Sequence, residues 1–284
     1  MSKRIRKTFL FVLIFFALNF FVYSQDFTVT SPEYILMEMN NALKSGERVN
    51  YGIVSACIAA LMEQGDSSSY PVLFSVLCAG YPEIITLEAV GALDIIPGNL
   101  HLFLLDVIEN NPPIEKFIAF RTGINSRQLT VSERGQLAEL ALELSFSYTE
   151  DNVDLNAMRY AAVIALTRLN WKRANPLAIR HYYRTQADFM QGIISKERII
   201  EAIECLGAVG DTDAALVLVL QLGLINLRTE RTGAYDPEIT MAIVQALGNI
   251  GDNAAFDNLL FTSNLSYDED ITSAAAEAIA RLKW

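Results

Sequence analysis

Histidine occurs only twice in these 284 residues, at His101 and His181, and cysteine only three times, at Cys57, Cys78 and Cys205. Two histidines far apart in sequence supply neither a His-based metal site nor a Ser-His-Asp arrangement. An odd, sparse set of cysteines builds no disulfide framework. Each lies inside an apolar helical pattern where a thiol serves as a small hydrophobe; the alternative is a Cys57 to Cys78 bridge, since both fall on neighbouring expected helices in an oxidising compartment. No GxSxG, Walker A, HExxH, CxxC or EF-hand pattern occurs. Gly207 and Gly210 lack the preceding strand that a dinucleotide fingerprint requires. The chain therefore reads as non-enzymatic, with no cofactor and no metal. Period-two alternation is missing as well, so no strand is expected. Basic residues are scarce, 22 against 33 acidic, which disfavours bulk binding to nucleic acid.

What is present is apolar: 52% of residues are hydrophobic and the mean hydropathy is +0.26, enough for a sizeable buried core. The first 24 residues stand apart. Lys3, Arg4, Arg6 and Lys7 precede an apolar stretch from Phe9 to Tyr23 broken only by Asn19, and Val22 and Ser24 place small residues before Gln25. This order reads as a signal peptide over 1–24, with an uncleaved anchor as the alternative. Without the leader the chain keeps 18 basic residues against 33 acidic, a net charge of −15. Export to a bacterial periplasm, or secretion, is expected, with no transmembrane span in the mature chain because every later apolar run is cut by Gly, Pro or charge.

Residues 25–284 carry an internal repeat. Leu61, Leu206 and Leu247 are each followed four residues later by Gly-Asp, at Gly65-Asp66, Gly210-Asp211 and Gly251-Asp252. Looser copies place Leu93 and Leu166 at comparable intervals. Before each Gly-Asp the apolar residues recur at helical spacing, as with Ile199, Ala202, Ile203 and Leu206, so one face of a helix is buried. Glycine then takes the left-handed C′ position, and the aspartate caps the next helix. Fourteen helices are expected, among them 114–121, 174–191 and 212–224, with a loop from Arg121 to Arg127. Ser31-Pro32 opens the first, and Thr130 with Glu133 forms a capping box for the seventh.

With small residues such as Ala56, Ala202, Ala242 and Ala278 on the first helices, these segments resemble HEAT-like repeats, of the short kind also found in the phycobilisome-lyase-like group. The likeness is good for 195–284, fair for 48–110 and poor for 111–154. It implies an all-α fold, a single α-solenoid over 25–284 of about six stacked antiparallel helix pairs plus terminal capping helices, in which second helices line the concave face. A lyase or pigment chaperone is suggested only by the group's name.

The expected function is an exported binding scaffold for a protein or peptide partner, possibly acidic. The alternative is a carrier of an apolar or anionic small ligand in the concave groove. Residues 159–198 hold eight basic groups against two acids, a local positive field in an acidic chain. Arg173, Arg180 and Arg184 are expected to form one stripe on a second helix, with Lys172 beside them and Trp171, Tyr182 and Tyr183 adding stacking surface. The nearly uncharged segments 69–79 and 212–224 suggest a greasy groove, and Tyr148, Tyr235 and Tyr267, each followed by acids, an acidic aromatic rim.

Overall fold

The computed structural model describes residues 31–146 and 152–284. The leader and the Tyr148, Glu150 and Asp151 cluster lie outside them. The described residues form fourteen helices and no strands, apart from one isolated bridge between Asp252 and Lys283. They group into two compact units divided after Pro97.

The first unit holds α1 (Pro32–Lys44), α2 (Tyr51–Gln64), α3 (Tyr70–Ala79) and α4 (Glu83–Ile95). Helix α1 packs on α2 and α3, and α4 packs on the same two. Ser31 caps α1 by accepting from the Tyr34 amide at 3.3 Å, with Pro32 in the first turn as the sequence suggests. The Tyr70 hydroxyl donates to the Ile96 carbonyl at 2.9 Å, tying α3 to the end of α4. Helix α3, one of the two nearly uncharged segments, buries Tyr70, Leu73, Phe74, Val76 and Leu77, so its greasiness is core. Cys57 keeps a buried thiol, held above its usual pKa by burial and then by Glu33; it does not bridge to Cys78.

The second unit holds α5 (Leu100–Asn110), α6 (Pro113–Asn125), α7 (Val131–Leu144), α8 (Val153–Leu169), α9 (Asn175–Met190), α10 (Lys196–Val209), α11 (Thr212–Thr232), α12 (Pro237–Ile250), α13 (Phe256–Asn264) and α14 (Glu269–Ala280). Helices α5 and α6, α7 and α8, α9 and α10, α11 and α12, and α13 and α14 pack as sequence neighbours. Alternate helices also touch in turn: α6, α8, α10, α12 and α14 form one row, and α5, α7, α9, α11 and α13 another. Small residues set the spacing in the first row. A Cβ on Gly207 would come within 2.8 Å of the Ala246 Cα, and one on Gly248 within 2.9 Å of the Ala278 Cβ, which is closer than packed side chains tolerate.

All three Gly-Asp corners use the aspartate as expected. Asp66, Asp211 and Asp252 accept from the amides of Ser68, Asp213 and Ala254 at 2.9 to 3.0 Å. Gly65 and Gly251 are left-handed, at φ 64° and 72°. Gly210 is not: its φ is −68° and ψ 160°, which corrects the expectation of a common backbone at every corner. Consecutive corners are linked side by side, with the Thr212 hydroxyl donating to Asp252 at 2.6 Å and the Asn175 amide to Asp211 at 2.7 Å.

Two boundaries differ from the sequence reading. Helix α6 continues through the expected loop to Asn125, because Thr122 and Gly123 are buried and Gly123 faces Leu137 and Leu104. Helix α11 runs eight residues beyond 224, closing on Gly233 at φ 70°. The capping box of Thr130 and Glu133 is present on α7.

Candidate functional site

The basic stretch is distributed over α8, a 3-10 turn at Lys172–Ala174, α9 and the start of α10. Its first group is braced from within. The Trp171 indole donates to a Glu139 carboxylate oxygen at 2.8 Å, and the Arg173 Nε reaches the same oxygen at 2.8 Å. The Arg173 guanidinium also sits 5.6 Å from the Trp171 ring. A Cβ on Gly135 would come 2.5 Å from that indole, so the ring lies directly on the α7 backbone. Lys172 donates to the Ala208 carbonyl at 2.6 Å. Its pKa is lowered, first by burial and then by Lys283, with Asp211 opposing.

Glu139 thus serves two donors, whereas Arg173 keeps a side chain 65% exposed. Glu139→Ala is expected to lower stability by about 1–2 kcal/mol, since it strands the indole N–H. Arg173→Ala is expected to lower it by under about 0.5 kcal/mol. Urea titrations of both variants check the order, and equal losses would contradict it.

On α9 the expected stripe reduces to Arg180 and Arg184. The Arg180 guanidinium lies 4.4 Å from the Phe146 ring, and Arg184 is half-buried beside His181. Tyr182 does not offer stacking surface: it is 2% exposed, on the same face as buried Ala178 and Thr185, and burial pushes its phenol above the ordinary range. Tyr183, one position on, is exposed and meets Tyr182 edge-on at 5.8 Å.

An apolar surface lies beside α9. Helix α11 buries Ala214, Ala215, Leu218, Leu222 and Asn226, while Leu216, Leu220, Leu224 and Leu227 are 48–65% exposed. Spaced by four, four and three residues, these leucines share the face directly opposite the buried set. The ridge extends about 17 Å and ends at exposed Arg228 and Arg231. Helices packed on either side add Tyr183 and Met190 from α9 and Leu260 and Phe261 from α13.

Its setting is held by polar contacts. Asn226 is fully buried; its amide donates to the Asn258 carbonyl at 3.1 Å and its oxygen accepts from the Thr262 and Tyr267 hydroxyls at 3.0 and 2.8 Å. The Gln186 amide on α9 donates to Gln221 at 2.8 Å. By length and composition α11 is also long and apolar enough to cross a bilayer, and it is the one such helix among the described residues.

Two members of the expected acidic rim are mainly structural. Tyr267 is buried on Asn226, Tyr235 packs edge-on against it at 4.7 Å and accepts from the Asp268 amide, and Asp236 caps α12 while pairing with Lys196 at 2.9 Å. An adjoining cleft of about 380 Å³ is lined by Ile200, Met241 and Ile271 with Glu204, Glu238 and Asp270 around them. Among the described residues no three His, Cys, Asp or Glu side chains gather where they could hold a metal ion.

The sequence matches no protein-family model and no curated protein.

Proposed function

We propose that this chain is an exported, non-enzymatic binding scaffold, a solenoid of stacked helix pairs similar to HEAT repeats, that takes a protein or peptide partner on the face made by α9, α11 and α13. The observation carrying this reading is the leucine ridge of α11. Isolated exposed leucines are ordinary, but four on one face of a helix, with exposed Tyr183, Met190, Leu260 and Phe261 on the two helices packed against it, are of the kind that marks an interaction surface. The partner that fits is an amphipathic segment laying apolar anchors along the ridge. Arg180 and Arg184 to one side, with Arg228 and Arg231 at one end, favour acidic residues flanking those anchors. Export rests on the order of charge, apolar run and small residues in the first 24 positions, and the periplasm or the outside of a bacterial cell is the proposed location.

Replacing Leu220 and Leu224 together by Lys tests the reading. Both side chains are more than half exposed, so the melting temperature is expected to stay within about 2 °C of the parent. Capture of partner from an envelope fraction is expected to fall by at least about tenfold. Undiminished capture of the same partner by the double variant would remove the ridge from the interface.

A further inference from the structure

Arg159 on α8 is 3% exposed, yet its Nε and Nη1 have no hydrogen-bond partner among the described residues. Its one bond runs from Nη2 to the Tyr160 hydroxyl at 3.2 Å. No carboxylate of the described residues forms an ion pair with it. Arginine cannot shed its proton in a protein, so burial leaves the charge in place. An unpaired buried cation is strongly unfavourable, because it gives up its hydration and gains no counter-charge. The same unit shows how the fold handles a buried cation elsewhere: Lys116, 3% exposed, donates to the carbonyls of Ile108 and Glu109 at 2.6 and 2.8 Å at the end of α5. Arg159 has no such cradle.

Its neighbours add donors and positive charge. The Arg159 guanidinium lies 5.0 Å from the Tyr160 ring centre, and the Arg198 guanidinium from α10 lies 4.2 Å from the same ring. Of these two, only Arg198 is paired, with Glu201 at 2.7 Å. The Tyr160 ring meets His181 of α9 edge-on at 5.9 Å. His181 is fully buried, its Nε2 is 3.3 Å from the Thr185 hydroxyl, and its Nδ1 has no partner among the described residues. Burial, followed by the charges of Arg159 and Arg184, pulls the His181 pKa down to about 3. Arg184 forms no ion pair among the described residues either. Beside the Tyr160 ring, therefore, stand the Arg159 guanidinium and the His181 imidazole, with Arg184 one turn further along α9, and neither Arg159 nor Arg184 is ion-paired to an acid among the described residues.

We propose that Arg159, His181 and Arg184, with the Tyr160 hydroxyl, form a binding site for a small oxyanion: a phosphate, sulfate or carboxylate group, free or as part of a larger molecule. Planar guanidinium forks match the paired oxygens of these groups, and in a largely dry site such charge-assisted bonds are at their strongest. Tyr160, Arg184 and Arg198 are each only half-buried and provide the approach from solvent. The site shares Arg184 with the basic flank of the proposed partner face but includes none of the ridge leucines, and it does not depend on that face being occupied.

The test uses the full chain. Thermal melts and calorimetric titrations are run with sodium phosphate, sulfate or acetate against sodium chloride at matched ionic strength. At least one oxyanion is expected to raise the melting temperature saturably and to give a binding isotherm where chloride gives none. The strongest of the three names the chemistry: acetate points to a carboxylate ligand, phosphate or sulfate to a tetrahedral one. Arg184→Gln is expected to weaken that binding by at least about tenfold while melting as the parent does in chloride. Arg159→Met is expected to abolish the response and to melt no lower than the parent in chloride, because the buried charge is gone. The Leu220 and Leu224 double variant is expected to respond as the parent does, which separates this site from the partner face. No saturable response to any of the three oxyanions, or an Arg184→Gln protein that binds as tightly as the parent, would overturn the proposal.

Discussion

Gly210→Val is expected to lower the stability of the second unit by about 3 kcal/mol or more, the largest loss of any single corner substitution. Valine is at ease with this backbone, since φ −68° and ψ 160° are ordinary extended values. The obstacle is space. A Cβ at this position would overlap the Leu206 carbonyl oxygen and lie 2.6 Å from the Ala214 Cβ, with Ile250 at 3.3 Å. The carbonyl cannot withdraw, because it accepts the Gly210 amide at 2.8 Å in closing α10. Gly251 presents the other case: its φ of 72° strains any branched residue, while its nearest contact, the Arg281 carbonyl at 3.1 Å, is looser. Gly251→Val should therefore lose about 1–3 kcal/mol. Urea midpoints of the two variants decide the order, and a Gly210→Val protein as stable as the parent would mean the corner is looser than described.

A second large effect comes with acid. His181 titrates near 6.5 when unfolded and near 3 when folded, so between these values the unfolded chain holds a proton that the native chain does not. Stability attributable to this group is complete above pH 6.5 and is lost as pH falls toward 3. From pH 7 to pH 5 the loss should be about 2 kcal/mol. Acidic groups with lowered pKa values, such as Asp66, Asp252 and Glu133, lose their contribution at lower pH and leave this window to the histidines. His101 shifts in the same direction, mainly by burial, so the informative quantity is the difference between the parent and His181→Gln. The variant should show the shallower decline in urea midpoint between pH 7 and 5, and parallel declines would contradict a buried neutral His181. Saturating oxyanion should flatten the parent's curve too, since a bound negative charge offsets the repulsion from Arg159 and Arg184.

The helices were readable because their signals are local. Ser31, Thr130 with Glu133, and the aspartates of the three Gly-Asp corners cap the helices that their side chains promise. Where the reading failed, the deciding contact came from elsewhere in the chain. Gly123 falls within the expected loop from Arg121 to Arg127 and is instead a point of close packing against α5 and α7. Gly210 shares its Gly-Asp sequence with Gly65 and Gly251, but its backbone is extended, with Ala214 and Ile250 close enough to bar a side chain there. The phase of Tyr182 is legible in the sequence: Ala178, Tyr182 and Thr185 fall on one side of α9 and Arg180 and Arg184 on another. For the candidate sites, low charge on α11 was visible, but which of its leucines face outward was not. Arg159 was legible only as one charge of the basic stretch, because its burial depends on the helices that cover it and its isolation on none of the described acids reaching it.

Asn226 bears on the leucine ridge in a further way. A helix with apolar residues on nearly every side has no rotational setting dictated by burial alone, since turning it would trade one set of leucines for another at little change in buried area. One buried amide with three fixed partners removes that degeneracy, because any rotation of α11 would leave hydrogen-bonding groups unmatched in a dry interior. The outward direction of Leu216, Leu220, Leu224 and Leu227 is then a choice imposed by polarity on the opposite side of the helix. The stickiness of the surface and the order of the core are coupled through a single side chain.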